Sequence, residues 1–230
     1  MKQTRNFASL FKVVALACVA LTAPSPARAA DPPAKAADGR KIAVPNWRDV
    51  SDLAARLKRG GMVLYFRHAA TDQDQKDQRP IDLADCAKQR NLTEQGRQQS
   101  QAIGAAFRTL GIPVGQVLSS PFCRTVEMSK LAFGRFEKSD MLYFAIGASA
   151  ADKAKAAAAL RKMLSEPPAA GQNRIIVSHT ANLKDAAGLW PKPEGVAIVF
   201  EPRGNDGFRA LARIAPDDWP DIVASAKVMN

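Results

Sequence analysis

Met62-Val63-Leu64-Tyr65-Phe66-Arg67-His68 is a short apolar run that ends in an arginine and a histidine, with Gly60-Gly61 before it. A run this short, bounded by glycines, reads as a strand covered on both faces, the kind found in parallel sheets. Ile175-Ile176-Val177-Ser178-His179 repeats the pattern. The chain has only two histidines in 230 residues, and each closes one of these runs. Open α/β sheets build their sites at the carboxyl ends of their strands. Two scarce imidazoles at two such ends therefore point to one site.

Working outward, the pattern alternates strands with helices. Val50, Leu53 and Leu57 have helical spacing over Asp49–Lys58, ahead of the first strand at 62–67. Residues 71–92 are polar and aperiodic, a long connection of the sort that is functional or disordered. Its acids lack tight ligand spacing and read as a solvated face. Thr93 caps a helix carrying Ile103, Phe107 and Leu110, which Gly111 and Pro113 stop. A strand at Val114–Leu118 leads through Ser119-Ser120-Pro121 into a helix from Phe122 to Leu131, and Phe136–Phe144 holds a further short strand. Ala151–Leu164 is helical, Arg174–Ser178 is the second histidine strand, and Ala181–Gly188 is a short helix. Val196–Phe200 and Phe208–Ile214 form a terminal strand pair around Gly204-Asn205-Asp206-Gly207, and a short helix follows Pro216. Trp47, Trp190 and Trp219 read as packing residues. The expected fold is a single three-layer α/β domain with a mainly parallel central sheet, helices on both faces and one antiparallel strand.

The amino terminus reads differently. Lys2 and Arg5, the apolar Val13–Leu21 and Ala27-Arg28-Ala29 have the order of a secretory signal peptide over residues 1–29. Residues 30–46, rich in Ala, Pro, Asp and Lys, are a flexible lead-in, and 47–230 form the domain. The expectation is an exported protein, periplasmic or secreted, with no stable membrane insertion. The net charge is +11, and Lys2, Arg5, Lys12 and Arg28 carry four of those charges with no acid among them. The remaining positive balance favours anionic partners. No basic block interleaved with aromatics is present, which speaks against nucleic acid. Cys86 and Cys123 could pair in an oxidising compartment. With no C-x-x-C and two histidines, no metal is expected. The oligomeric state is not readable.

If the sheet is parallel, three loops share its carboxyl rim and bring Arg67-His68, Ser119-Ser120-Pro121-Phe122-Cys123-Arg124 and Ser178-His179 together. Guanidinium forks match phosphate oxygens. A neutral imidazole whose far nitrogen is held as N–H by a carbonyl is a competent nucleophile toward phosphorus. A second, protonated imidazole can stabilise the charge that spreads over the phosphoryl oxygens. Glu127, one turn beyond Arg124, is either a surface charge or an orienting partner for an arginine.

Leu64-Tyr65-Phe66-Arg67-His68-Ala69-Ala70-Thr71, Leu92-Thr93-Glu94-Gln95-Gly96-Arg97, Leu118-Ser119-Ser120-Pro121-Phe122-Cys123-Arg124-Thr125 with Glu127, and Val177-Ser178-His179 resemble, in order, the motifs of the histidine phosphatase superfamily, which includes phosphoglycerate-mutase-like enzymes. The resemblance implies a cofactor-free phosphomonoesterase acting on a small phosphorylated substrate. His68 would be the nucleophile, and Arg67, Arg124 and His179 would form the phosphate pocket. It leaves two alternatives, a phosphomutase and a non-catalytic phosphate-binding module.

The sequence departs from the family in two places. Ala69 stands where many members have glycine. No glutamate lies in Asp140–Phe144, and Thr180 follows the second histidine where one branch has aspartate, so the general acid is unassigned. Glu194 reaches the site only if the strand after it runs antiparallel to its neighbours. Asp72 and Asp74 could swing in on the polar loop. With none of them, substrates whose leaving groups need little protonation would be favoured.

Overall fold

The computed structural model describes residues 44–50 and 52–228. The signal peptide expected over 1–29 and most of the lead-in lie outside these residues. In chain order the elements are α1 (Leu53–Arg59), β1 (Val63–Arg67), α2 (Glu94–Leu110), β2 (Val114–Ser119), α3 (Cys123–Phe133), β3 (Glu137–Lys138), α4 (Ala150–Ser165), β4 (Asn173–Ser178), α5 (Thr180–Ala187), β5 (Ala197–Pro202), β6 (Phe208–Ile214) and α6 (Trp219–Val228). The strands form one sheet ordered β3-β2-β4-β1-β5-β6. β3, β2, β4 and β1 are mutually parallel, and β5 alone runs against them. This is the three-layer, mainly parallel architecture expected from the sequence.

Strand alternation explains why the histidine strands carry no polar stripe. Leu64 and Phe66 of β1, with Ile175 and Val177 of β4, face a core shared with α1, α2, α3 and α6. Val63 and Tyr65, with Ile176, face a second core closed by α4 and α5. Phe66 packs on Phe107, Phe133 and Trp219, with ring centroids 5.7 to 6.3 Å apart. Burying each such side chain contributes about 1.5–3 kcal/mol.

Two expected elements differ. The helix expected over Asp49–Lys58 is split: a 3-10 turn at Trp47–Asp49 precedes α1. Asn46 and Asp49 cap that turn reciprocally, the side chain of each accepting a backbone N–H at 3.1 Å. The strand expected within Phe136–Phe144 is reduced to the two-residue edge β3, because the chain turns at Asp140–Leu142 to bury Leu142. Of the tryptophans, Trp219 is fully buried but Trp190 is 54% exposed, with the ammonium groups of Lys184 and Lys192 over its ring.

Thr93 caps α2 as expected, its Oγ1 accepting the Gly96 N–H at 3.1 Å, an interaction worth about 1 kcal/mol. Gly96 is required for a steric reason. A Cβ there would lie 2.0 Å from the Ala70 carbonyl oxygen, so only glycine lets α2 seat against the segment that follows β1. Among the described residues, no helix is long and apolar enough to cross a membrane.

Candidate active site

Sheet register brings the histidines together. Arg67 of β1 is level with Ser178 of the neighbouring β4, and the His68 N–H extends the ladder to the Ser178 carbonyl at 3.0 Å. β2 lies on the other side of β4, and Ser120 N–H bonds the Val177 carbonyl at 2.9 Å. The rings of His68 and His179 stand edge to face, centroids 5.5 Å apart, and both residues are at most 2% exposed.

The His68 Nδ1 lies 3.0 Å from the Ala69 carbonyl oxygen. A carbonyl only accepts, so Nδ1 carries the hydrogen and Nε2 keeps its lone pair. Burial, and then the Arg124 guanidinium, hold the His68 imidazole well below the usual histidine range, which favours the neutral ring. Burial followed by Arg124 and His68 does the same to His179. The His179 Nε2 is 2.8 Å from Ser120 Oγ, and its carbonyl accepts from the Tyr65 hydroxyl at 2.7 Å.

Arg124 enters from the first turn of α3 and is fully buried, its guanidinium 4.7 Å from the Phe122 ring centroid and 5.4 Å from that of Phe144. Arg67 projects from the end of β1, where its Nη2 donates to Glu194 Oε1 at 2.8 Å. Glu194 is here because β5 runs antiparallel: its leading end, not its trailing end, lies at the rim. Gly195, at φ +82°, turns the chain so that its N–H meets the His68 carbonyl at 2.8 Å. Glu194 also accepts from the Thr71 N–H at 2.8 Å, the Thr71 hydroxyl at 3.0 Å and the Gln73 amide at 3.3 Å.

The structure thus gathers Arg67, His68, Arg124, His179 and Glu194. Neither Asp72 nor Asp74 is brought in; both are exposed, and the Asp72 carboxylate accepts the Asp74 N–H at 2.9 Å. Glu127 binds Arg97 at 2.7 Å rather than a site arginine. Cys86 and Cys123 are joined, and their Cα atoms are 5.7 Å apart. The bond staples the polar loop to the start of α3, one residue from Arg124.

Sequence reasoning missed two groups, both on that loop. Arg90 places its Nη2 3.8 Å from Glu194 Oε1, and Asp77 binds Arg124. The loop has no period and no motif around either residue, although Arg90 immediately precedes Asn91-Leu92-Thr93, where the helix motif begins.

The Nε atoms of Arg67, Arg90 and Arg124 and the Nδ1 of His179 are all buried without a partner. Buried polar atoms in folded proteins almost always have partners. Three arginines beside the two histidines form a positively charged cluster that suits a polyvalent anion.

Residues 63–143 match the histidine phosphatase superfamily, branch 1. The histidine phosphatase match spans β1, the polar loop, α2, β2, α3 and β3; β4 with His179 lies beyond it. No curated protein matches the chain. Among solved structures, the protein histidine phosphatase SixA complexed with tungstate is 16% identical, with a TM-score of 0.49, over 68% of this chain and 98% of that one. A phosphoserine phosphatase mutant from Entamoeba histolytica complexed with phosphoserine is 14% identical, with a TM-score of 0.48, over 67% and 97%. YhfR from Bacillus stearothermophilus is 16% identical, with a TM-score of 0.48, over 66% and 95%.

Proposed function

We propose that the chain is an exported phosphomonoesterase that works through a phosphohistidine on His68. The observation that carries this reading is the His68 ring itself. It is buried and held by the Ala69 carbonyl so that the Nε2 lone pair is free, among arginines with unmatched donors. Nε2 attacks phosphorus in line, the bond to the ester oxygen breaks, and the leaving oxygen takes a proton from solvent, which the attacking water of the second step returns. Water then attacks the phosphohistidine and releases orthophosphate. Arg67, Arg124 and His179 bind the phosphoryl oxygens, with Arg90 beside them, so that positioning and charge supply the catalysis.

Glu194 serves in this reading to aim Arg67. Its neighbours at the carboxylate are all donors, and an acid proton would meet Arg67, an amide N–H and the Gln73 side-chain amide. The reaction then suits substrates whose leaving group needs little protonation, such as aryl phosphates. Signal-peptide cleavage before residue 30 would account for export.

The test is hydrolysis of p-nitrophenyl phosphate by the chain from residue 30, with and without chelator, beside His68→Ala. Turnover that survives chelator and is lost in His68→Ala, with an acid-labile phosphate on the wild-type protein after rapid quench, is the expected result. Turnover that persists in His68→Ala sinks the reading. Transfer of phosphate between positions of one substrate, faster than its release to water, would favour a mutase.

A further inference from the structure

The segment from Asp72 to Asn91 lies against the site, and one of its carboxylates binds a site arginine. The buried guanidinium of Arg124 meets Asp77 at two points, Nη1 to Oδ1 at 2.9 Å and Nη2 to Oδ2 at 3.3 Å. The Arg90 N–H donates to the same Oδ1 at 2.9 Å. A side-by-side, two-point contact is also how a guanidinium holds two oxygens of a phosphate. The carboxylate and a phosphoryl group cannot both occupy this fork.

We infer that Asp77 is an internal ligand of the phosphate pocket, bound to Arg124 in the free protein and exchanged for the phosphoryl oxygens of the substrate. The inference rests on the phosphatase reading above. Arg67, Arg90 and Arg124 lie close enough for their charges to repel, and Glu194 and Asp77 are the carboxylates that offset them. An arriving phosphoryl dianion supplies the charge that Asp77 had supplied, so the carboxylate can leave without stranding Arg124. A ligand with less charge, or with one oxygen to offer, cannot make that exchange, and Asp77 is therefore a specificity-determining residue.

The loop is built to open from one side. The Cys86–Cys123 bond, together with the Cys123 N–H donating to Gln89 Oε1 at 2.9 Å, fixes its trailing part to α3. The leading part, which carries Asp77, is held by contacts that can be broken singly. One is the Arg79 side chain lying against Gly147; another is the Gln78 N–H bonded to the Lys88 carbonyl at 2.9 Å. Arg90 stays with the stapled part while Asp77 moves.

The test is calorimetric titration of inorganic phosphate into the wild type, Asp77→Asn and Asp74→Asn. Asp74 is an exposed acid of the same loop and controls for general charge. Asp77→Asn should bind phosphate at least about tenfold more tightly, as like charges at a binding site cost several kcal/mol, and Asp74→Asn should stay within about twofold of wild type. Equal or weaker binding by Asp77→Asn, with the wild type binding normally, overturns the inference alone. No phosphate binding by any of the three overturns the phosphatase reading with it. Independently of any variant, hydrogen exchange at the Arg90 amide of the wild type should accelerate when phosphate is added. Unchanged or slower exchange also overturns the inference.

Discussion

The Arg67 guanidinium and the Glu194 carboxylate meet at 2.8 Å across 127 residues of chain because β5 is the one strand of the sheet that runs backward. In a wholly parallel sheet Glu194 would enter at the opposite edge. Strand direction thus decides whether this arginine is held in place. Replacing Glu194 by Gln keeps the shape and removes the charge. KM for an aryl phosphate should rise about tenfold while kcat changes little. A fall in kcat that is much steeper for an alkyl than for an aryl phosphate would instead make Glu194 the proton donor.

The Cys86–Cys123 bond closes a separation of 37 residues. The loop-entropy model assigns such a bond roughly 3–4 kcal/mol. Denaturant unfolding of Cys86→Ser/Cys123→Ser should show a loss of this order. Arg124 follows Cys123 directly, so phosphate binding should weaken in the same variant. A midpoint equal to wild type would show that the rest of the loop holds itself.

The two histidines give the fold an acid limit. Both are held well below the usual histidine range, chiefly by burial and then by the Arg124 guanidinium. The unfolded chain takes up their two protons near pH 6.5, and the folded protein does not until lower pH. Stability from this source is complete above about pH 6.5 and is lost as pH falls from there toward the folded values. Its slope approaches about 2.7 kcal/mol per pH unit for the pair. Thermal melts at pH 7.5 and 5.5 should differ strongly in the wild type and much less in His68→Asn/His179→Asn. Parallel behaviour of the two proteins would contradict the assignment.

Gly96→Ala should be among the most damaging single methyl additions. The new Cβ would sit 2.0 Å from the Ala70 carbonyl oxygen, which is backbone and cannot rotate away. A loss of about 1–3 kcal/mol in stability is expected from overpacking, together with reduced phosphate binding, because Thr71, which donates to Glu194, follows Ala70 directly. Gly61→Ala, where nothing lies within 4 Å but φ is +86°, is a contrasting variant with backbone strain alone. It should cost stability and leave phosphate affinity intact.

Much of the site could be read in the sequence because its parts sit at the ends of regular elements. Arg67-His68, Arg124 and Ser178-His179 follow strands whose apolar runs are unmistakable, and the parallel sheet does the rest. Glu194 was legible only as a condition on strand direction, which no local pattern sets. Asp77 and Arg90 were not legible at all. Their loop is ordered by side-chain bonds to its own backbone, such as Asn91 N–H to Gln75 and Arg90 N–H to Asp77, and these obey no period. The edge strand β3 was overestimated because an apolar Met-Leu-Tyr-Phe run reads alike in a strand and in a buried turn.

β1 and β4 are neighbours in the sheet yet far apart along the chain, Val63 pairing with Arg174. A chain made from its amino terminus therefore carries a sticky, unpaired β1 until more than a hundred further residues have emerged. Contacts of such long range form late and slowly. The pocket cannot exist in any nascent fragment that lacks β4, so the site assembles only after His179 and Glu194 have emerged. Whatever keeps β1 from pairing wrongly in that interval matters as much to a working enzyme as the residues in the pocket.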